Sequence, residues 1–260
     1  MGSAFVSMIM TKRFEGKVAL VTGASKGIGA EIARRLASEG AAVAVNYSSS
    51  KAGADKVVAD ITAKGGKAIA VKGNLAEAKD IASLVAETIK AFGPIDVLVN
   101  NAGIYEFAPL DGITAENFRK QFDVNVLGLL LVTQEAARHF NPNGGSIVNI
   151  SSGVSTLAPA NAATYTATKA SVDAITSSLS KELAPRKIRV NAVNPGMIET
   201  EGVVSAGLHE GDMRKWVESM TPLGRIGKVE EIAATVAFFA SEDASYITGE
   251  TLHVTGGASR

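Results

Sequence analysis

The chain has 260 residues, no cysteine, 26 lysines and arginines against 26 aspartates and glutamates, and 26 glycines. That length buries a full core, and 46% hydrophobic with 20% charged residues excludes wholesale disorder. Zero cysteines exclude disulfides, thiolate metal sites and a cysteine nucleophile, and a net charge of zero gives no electrostatic reason to expect nucleic acid or an anionic membrane as partner.

Residues 1–13 read as a leader or disordered N-terminus, because the apolar start has neither a basic flank nor a cleavage site. From 14 to 260 the chain reads as a single domain. Short β-branched runs predict strands at 17–22, 41–46, 67–71, 95–99, 145–151, 187–193 and 250–254. Stretches with helical spacing fall between them, at 27–39, 51–64, 77–92, 114–139, 162–184 and 228–240. In the first, Ile28, Ile32 and Leu36 recur at i+4 with Glu31, Arg34 and Arg35 between them. Seven strands separated by helices predict an α/β fold with a doubly wound parallel sheet. Only 194–227 breaks the rhythm, and its glycine-punctuated part at about 197–221 reads as a lid. No apolar run approaches the roughly 18 residues of a membrane span. The expectation is a cytoplasmic protein with no membrane partner.

The first strand runs into Thr22-Gly23-Ala24-Ser25-Lys26-Gly27-Ile28-Gly29 before a helix. Glycines at that place permit a tight turn and let backbone N–H groups at a helix N-terminus approach a pyrophosphate. A simple glycine turn is the competing reading. A carboxylate about 20 residues on would hold the ribose 2′-hydroxyl of NAD. None occurs between Glu39 and Asp55; the second strand ends in Tyr47-Ser48-Ser49-Ser50-Lys51. With Lys26, these hydroxyls suit a 2′-phosphate and favour NADP(H) over NAD(H).

Tyr165 and Lys169 stand four apart at the start of a predicted helix and so share a face. A nearby ammonium would lower the tyrosine pKa and equip the pair for proton exchange with an oxygen. Ser152 follows the fifth strand, where a hydroxyl could donate to a carbonyl oxygen, with Ser151 as the alternative. Asn125, inside an apolar helical run, is either a satisfied structural amide or the holder of a relay water. His139, His209 and His253 are scattered and suggest no metal site.

Thr22–Gly29, Asn100–Gly103, Asn125, Ser152, Tyr165–Lys169 and Asn194-Pro195-Gly196 occur in an order and spacing that resembles the classical short-chain dehydrogenases/reductases. The resemblance spans 15–257. It implies a single-domain Rossmann fold and a tetrad of Asn125, Ser152, Tyr165 and Lys169. Tyr165 would exchange the proton, Ser152 orient the substrate oxygen, Lys169 depress the tyrosine pKa and bind nicotinamide ribose, and Asn125 hold a water. Cofactor contacts implied are Gly23, Ser25, Lys26, Gly27, Ile28 and Gly29 at the pyrophosphate, and Tyr47, Ser48 and Ser49 at the adenosine ribose. Asn74 and Leu75 would lie at adenine, Asn101, Ala102 and Gly103 beside the fourth strand, and Pro195, Gly196, Ile198 and Thr200 at the nicotinamide. Asn74 stands where the family usually has Asp, as does Thr255 near the end. The chain is most similar to 3-oxoacyl-carrier-protein reductases and glucose 1-dehydrogenases. A small carbonyl or alcohol substrate and a homotetramer are implied. A non-catalytic nucleotide-binding regulator and a methyltransferase are the readings from other classes. The intact Ser152–Tyr165–Lys169 set opposes the first. The missing acid after the second strand opposes the other.

Overall fold

The computed structural model describes residues 12–205 and 211–258; the first eleven residues of the expected leader, and Gly207, His209 and Glu210 of the expected lid, lie outside them. Strands β1 (Val18–Val21), β2 (Ala42–Tyr47) and β3 (Lys67–Lys72) alternate with helices α1 (Gly27–Ser38), α2 (Lys51–Ala63) and α3 (Ala78–Phe92). Strand β4 (Val97–Asn100) leads to α4 (Ala115–Phe122), a π-helical turn (Asp123–Gly128) and α5 (Leu129–Ala137). Then come β5 (Gly145–Ile150), the short α6 (Val154–Leu157), the long α7 (Ala163–Leu183) and β6 (Ile188–Pro195). The last part holds β7 (Ile198–Glu199), α8 (Glu201–Ser205), α9 (Gly211–Met220), β8 (Gly227–Lys228), α10 (Val229–Ala240) and β9 (Thr251–Val254).

Seven strands form one sheet in the order β3-β2-β1-β4-β5-β6-β9, and every pair is parallel. Alternate residues divide between its faces, as strand geometry requires. Ala19, Val21, Val43, Val45, Val97, Val99 and Val148 pack with Ile32 and Leu36 of α1 and Ile232 and Phe239 of α10. On the other face Leu20, Ala44, Leu98, Ile147 and Val190 pack with Leu84 of α3 and Val132 of α5. Both faces are covered, which is why the strands read as unbroken apolar runs.

The chain winds outward from β1 in one direction and from β4 in the other, and those two strands are neighbours. A ligand crevice opens at such a reversal, beyond the carboxyl ends of the strands. The turns after β1 and β4 carry Thr22–Lys26 and Asn101–Gly103.

Two elements differ from the sequence expectation. The helix expected at 114–139 is interrupted by the π-helical turn at Asp123–Gly128. The interruption draws Asn125 inward, onto both backbone groups of Ile104. Gly128 fits against the Leu75 carbonyl, where an added Cβ would stand 2.6 Å from that oxygen. The start of the lid segment, β7, pairs with β8 beyond its end, Ile198 beside Gly227, which two-residue strands give no periodicity to predict. Among the described residues, no helix is long and apolar enough to cross a membrane.

Candidate active site

The glycine loop is held by polar groups at the strand ends. Thr22 Oγ1 accepts from the N–H groups of Asn101 and Ala102, both at 3.0 Å. The Asn101 amide donates to the carbonyls of Thr22 and Gly23, each at 3.0 Å. Asn46, buried at the end of β2, accepts from Gly23 N–H at 3.0 Å and donates to Gly73 O at 3.1 Å. The turns after β1, β3 and β4 are thereby joined through the end of β2. The sequence gives Thr22 only as the first residue of the loop motif and gives Asn46 no role; the signal for both is a polar residue at the end of an otherwise apolar buried strand.

The three loop glycines serve different purposes. A Cβ on Gly23 would lie 2.8 Å from Ala102 Cα, and one on Gly29 would lie 2.3 Å from Asn101 Nδ2. Those two glycines make room for the turn after β4. Gly27, with φ +57°, meets only Thr200 carbons at 3.6 Å, so it is the glycine that leaves space. Its N–H donates to the Glu201 carboxylate at 3.0 Å. An anionic group therefore already occupies the N-terminus of α1, whose own first turn has no acid. This observation shows that the loop accepts negative charge where a pyrophosphate is expected, so the residues present fit a dinucleotide.

The other expected cofactor residues surround this loop. Ser25 and Lys26 lie in its turn, with Lys26 exposed, and Ser48 and Ser49 are exposed just after β2. Ile28, Tyr47 and Leu75 turn their side chains into the core. Asn74 Oδ1 closes a turn onto Ala76 N–H at 3.2 Å. Gly196 N–H donates to Val254 O at 3.0 Å, and Ile198 sits in β7. Thr200 Oγ1 accepts from Val203 N–H at 3.2 Å at the start of α8.

Ser152, Tyr165 and Lys169 meet beyond β5. Ser152 Oγ accepts from Val154 N–H at 3.3 Å, and the Ser152 side chain stands near enough to the Tyr165 phenol to draw its pKa down. Ser151 is buried and its hydroxyl is already engaged, donating to Lys169 O at 3.1 Å. Lys169 is buried, its ammonium donates to Ile150 O at 2.9 Å, and it stands 5.8 Å from the centre of the Tyr165 ring. Burial pushes the lysine pKa down to about 8, opposed by the Asp173 carboxylate. Burial also pushes the Tyr165 phenol up; the Ser152 side chain acts against that shift and Tyr105 adds to it. The expected lowering of the tyrosine by Lys169 is not seen. The ammonium is directed at a backbone carbonyl and the ring face, and desolvation outweighs it.

Asn125 is a satisfied amide. Its Oδ1 accepts from Ile104 N–H at 2.8 Å; its Nδ2 donates to Ile104 O at 2.8 Å and Thr168 Oγ1 at 3.1 Å. It clamps the segment after β4 onto α7. A Cβ on Gly103 would touch both Asn125 Oδ1 at 3.3 Å and Lys169 Nζ at 3.5 Å, so that glycine lets the three groups converge. Among the described residues, no three His, Asp or Glu side chains are grouped as metal ligands.

A family model described as enoyl-(acyl carrier protein) reductase matches residues 23–259. The chain is 54% identical over 245 residues to an uncharacterized oxidoreductase of Methylorubrum extorquens, covering 94% of this chain and 98% of that one. It is 43% identical over 242 residues to the 3-oxoacyl-[acyl-carrier-protein] reductase FabG of Staphylococcus aureus, covering 93% and 97%. This chain belongs to the classical short-chain dehydrogenase/reductase family.

As a short-chain dehydrogenase/reductase, it is an enzyme acting between CH–OH and C=O. A solved member, from Burkholderia cenocepacia and in complex with NADP, superimposes with a TM-score of 0.90 at 38% identity, covering 95% of this chain and 100% of that one.

Proposed function

We propose that this dehydrogenase/reductase interconverts a small ketone and its secondary alcohol with NADP(H), using Tyr165 as the proton donor and acceptor. The observation that carries this reading is the convergence beyond β5 of the Tyr165 phenol, the Ser152 side chain that acts on its pKa, and the Lys169 ammonium 5.8 Å from the centre of the same ring. Bound nicotinamide would supply or accept the hydride. The protein groups do the rest. The Ser152 hydroxyl orients the substrate oxygen toward Tyr165. The phenol, held protonated by burial, donates its proton as the oxygen gains charge. Lys169 supplies positive charge behind it and reaches the ribose of the cofactor, and Asn125 fixes the segment that borders both.

The glycine loop 23–29 would hold the pyrophosphate, with Asn101, Ala102 and Gly103 beside it. Asn74 and Leu75 would border adenine, and Pro195, Gly196, Ile198 and Thr200 the nicotinamide. The exposed Ser48, Ser49 and Lys26, with no acid after β2, support a 2′-phosphate. Relatives solved with NADP and with NADPH agree with that preference. A docking rim for an acidic carrier protein is poorly supplied, because Arg214 is bound to Glu218 and Arg225 to Glu231. This favours a free small ketone. Residues 197–221 would close over it, and the cysteine-free composition is compatible with the reducing cytoplasm. The exposed apolar groups Phe118 and Leu127 on one side, and Tyr246 and Leu252 on the edge-strand side, support the homotetramer.

The test is Tyr165→Phe. Expected is a loss of at least about a hundredfold in kcat with the NADPH Kd unchanged. Turnover that survives undiminished sinks the mechanism. A panel of ketones, acyl and enoyl thioesters and aldoses, run with NADPH and NADH, tests the substrate and cofactor. A higher kcat/KM with NADH would overturn the cofactor preference.

A further inference from the structure

The segment Ile104–Ala108 is clamped at every second residue on one side. Both backbone groups of Ile104 are taken by Asn125, at 2.8 Å each. Both backbone groups of Glu106 are taken by the Gln121 amide, at 3.3 Å each, and its carboxylate is held by Asn117 and Lys120. Ala108 N–H donates to Asn161 O at 2.8 Å, which ties the segment to the turn before α7.

In an extended segment, neighbours of the clamped residues face the other way. Tyr105 and Phe107 do so, and both rings lean on Tyr165. Their ring centres lie 6.0 and 6.1 Å from that of Tyr165 and 5.9 Å from one another. The planes are splayed, at 54° and 84° to Tyr165 and 48° to each other. Both rings are about half exposed, at 50% and 57%. Two aromatic faces thus stand open beside the phenol rather than filling the core. Glu106, the acid between them, is turned away and neutralised by Lys120.

From this geometry we propose that the substrate is an aryl ketone and that Tyr105 and Phe107 set that specificity. The proposal rests on the carbonyl reading of the Ser152–Tyr165 pair. A flat ring next to the reacting carbon fits the splayed wall edge-to-face or offset, with Tyr165 in reach of the oxygen. A polyhydroxylated sugar would meet two ring faces with few hydrogen-bond partners. A linear acyl chain would gain contact area but no ring–ring geometry. The wall is held before substrate arrives, so little ordering is lost on binding.

The deciding comparison is acetophenone against cyclohexyl methyl ketone, of similar size but with a saturated ring. Wild type should show about a tenfold higher kcat/KM for acetophenone with NADPH, carried mostly in KM. Tyr105→Leu/Phe107→Leu keeps apolar bulk and should bring the two ketones within about twofold. Tyr105→Phe/Phe107→Tyr, which keeps both rings, should restore the preference and also controls for folding. Saturation-transfer NMR of each ketone with the wild-type protein and NADPH reads binding without turnover, and should show the same ranking. Equal use and binding of the two ketones by wild type, or a preference that persists in the double leucine variant, overturns the proposal. If no carbonyl is turned over while acetophenone still binds preferentially through these rings, the reaction reading fails and the aromatic site stands.

Discussion

Glu201 and Lys169 show how single charges tune the crevice. The Glu201 carboxylate accepts from Gly27 N–H at the N-terminus of α1, the place argued for pyrophosphate. On the proposed reading, the pyrophosphate takes its place. Glu201→Gln should therefore tighten NADPH binding by about two- to fivefold, read by fluorescence titration, with weaker binding as the contrary result. Lys169 leads to a pH prediction. Burial holds its folded pKa at about 8, below the ordinary lysine value of 10.5. Between those values the unfolded chain binds a proton that the folded chain does not, so stability rises with pH across that window. Below pH 8 both states are protonated and the buried ammonium costs its full penalty. From pH 7 to 9.5 the wild type should gain about 2 kcal/mol relative to Lys169→Met, measured by chemical denaturation at each pH. Tyr165 acts in the other direction only above its ordinary pKa near 10, because its folded pKa is raised.

The π-helical turn does two jobs as an element. It swings Asn125 onto Ile104 and sets Gly128 against Leu75, linking the substrate side of the crevice to the turn after β3. An extra residue in a helix of this kind commonly marks a functional position. Gly128→Ala would place a Cβ 2.6 Å from the Leu75 carbonyl and 3.0 Å from its Cβ. Expected is a loss of about 1–3 kcal/mol in urea denaturation, with weakened NADPH binding as the Asn74–Leu75 turn shifts. Full stability with unchanged cofactor affinity would show that the turn is not coupled to the site.

For the whole molecule, the N-terminal edge of the sheet is tied by charge. Arg13 donates to both Glu39 oxygens, at 2.6 and 2.9 Å, and to Asp243 at 2.9 Å; Arg35 reaches Glu39 at 2.5 Å. Burial acts to raise the Glu39 carboxyl, but the two guanidinium groups outweigh it and hold it below the usual range. A depressed carboxylate contributes stability above its unfolded pKa that is lost as pH falls through its folded one. Arg13→Ala should cost about 1–3 kcal/mol near neutrality and move the acid-unfolding midpoint to higher pH. An unchanged midpoint would assign the pair no net role. Light scattering at micromolar concentration should return four times the 26.8 kDa chain mass for the proposed tetramer.

The order of strands and helices was legible because each buried strand is a short apolar run and each helix carries its own spacing. The doubly wound parallel sheet followed, since alternating elements allow few other arrangements. The glycine loop and the Tyr165–Lys169 pair were legible because their spacing is local. What depends on contacts far apart in the chain was not. Sequence left Ser151 and Ser152 open; only packing turned Ser151 onto the Lys169 carbonyl. It left Asn125 open; the π-helical turn, invisible in periodicity, spent its amide on Ile104. Spacing suggested a lysine that lowers its tyrosine, whereas burial of the phenol pushes it up. Nothing in the spacing of Tyr105 and Phe107 indicates that their rings meet that of Tyr165 beside one hydroxyl; the fold alone brings the three together. Sequence by itself determined the scaffold and where along it polar chemistry could sit. The tertiary structure decided which polar groups point into the crevice and what charge state burial allows them, because desolvation and hydrogen bonding depend on neighbours that the chain brings together only when folded.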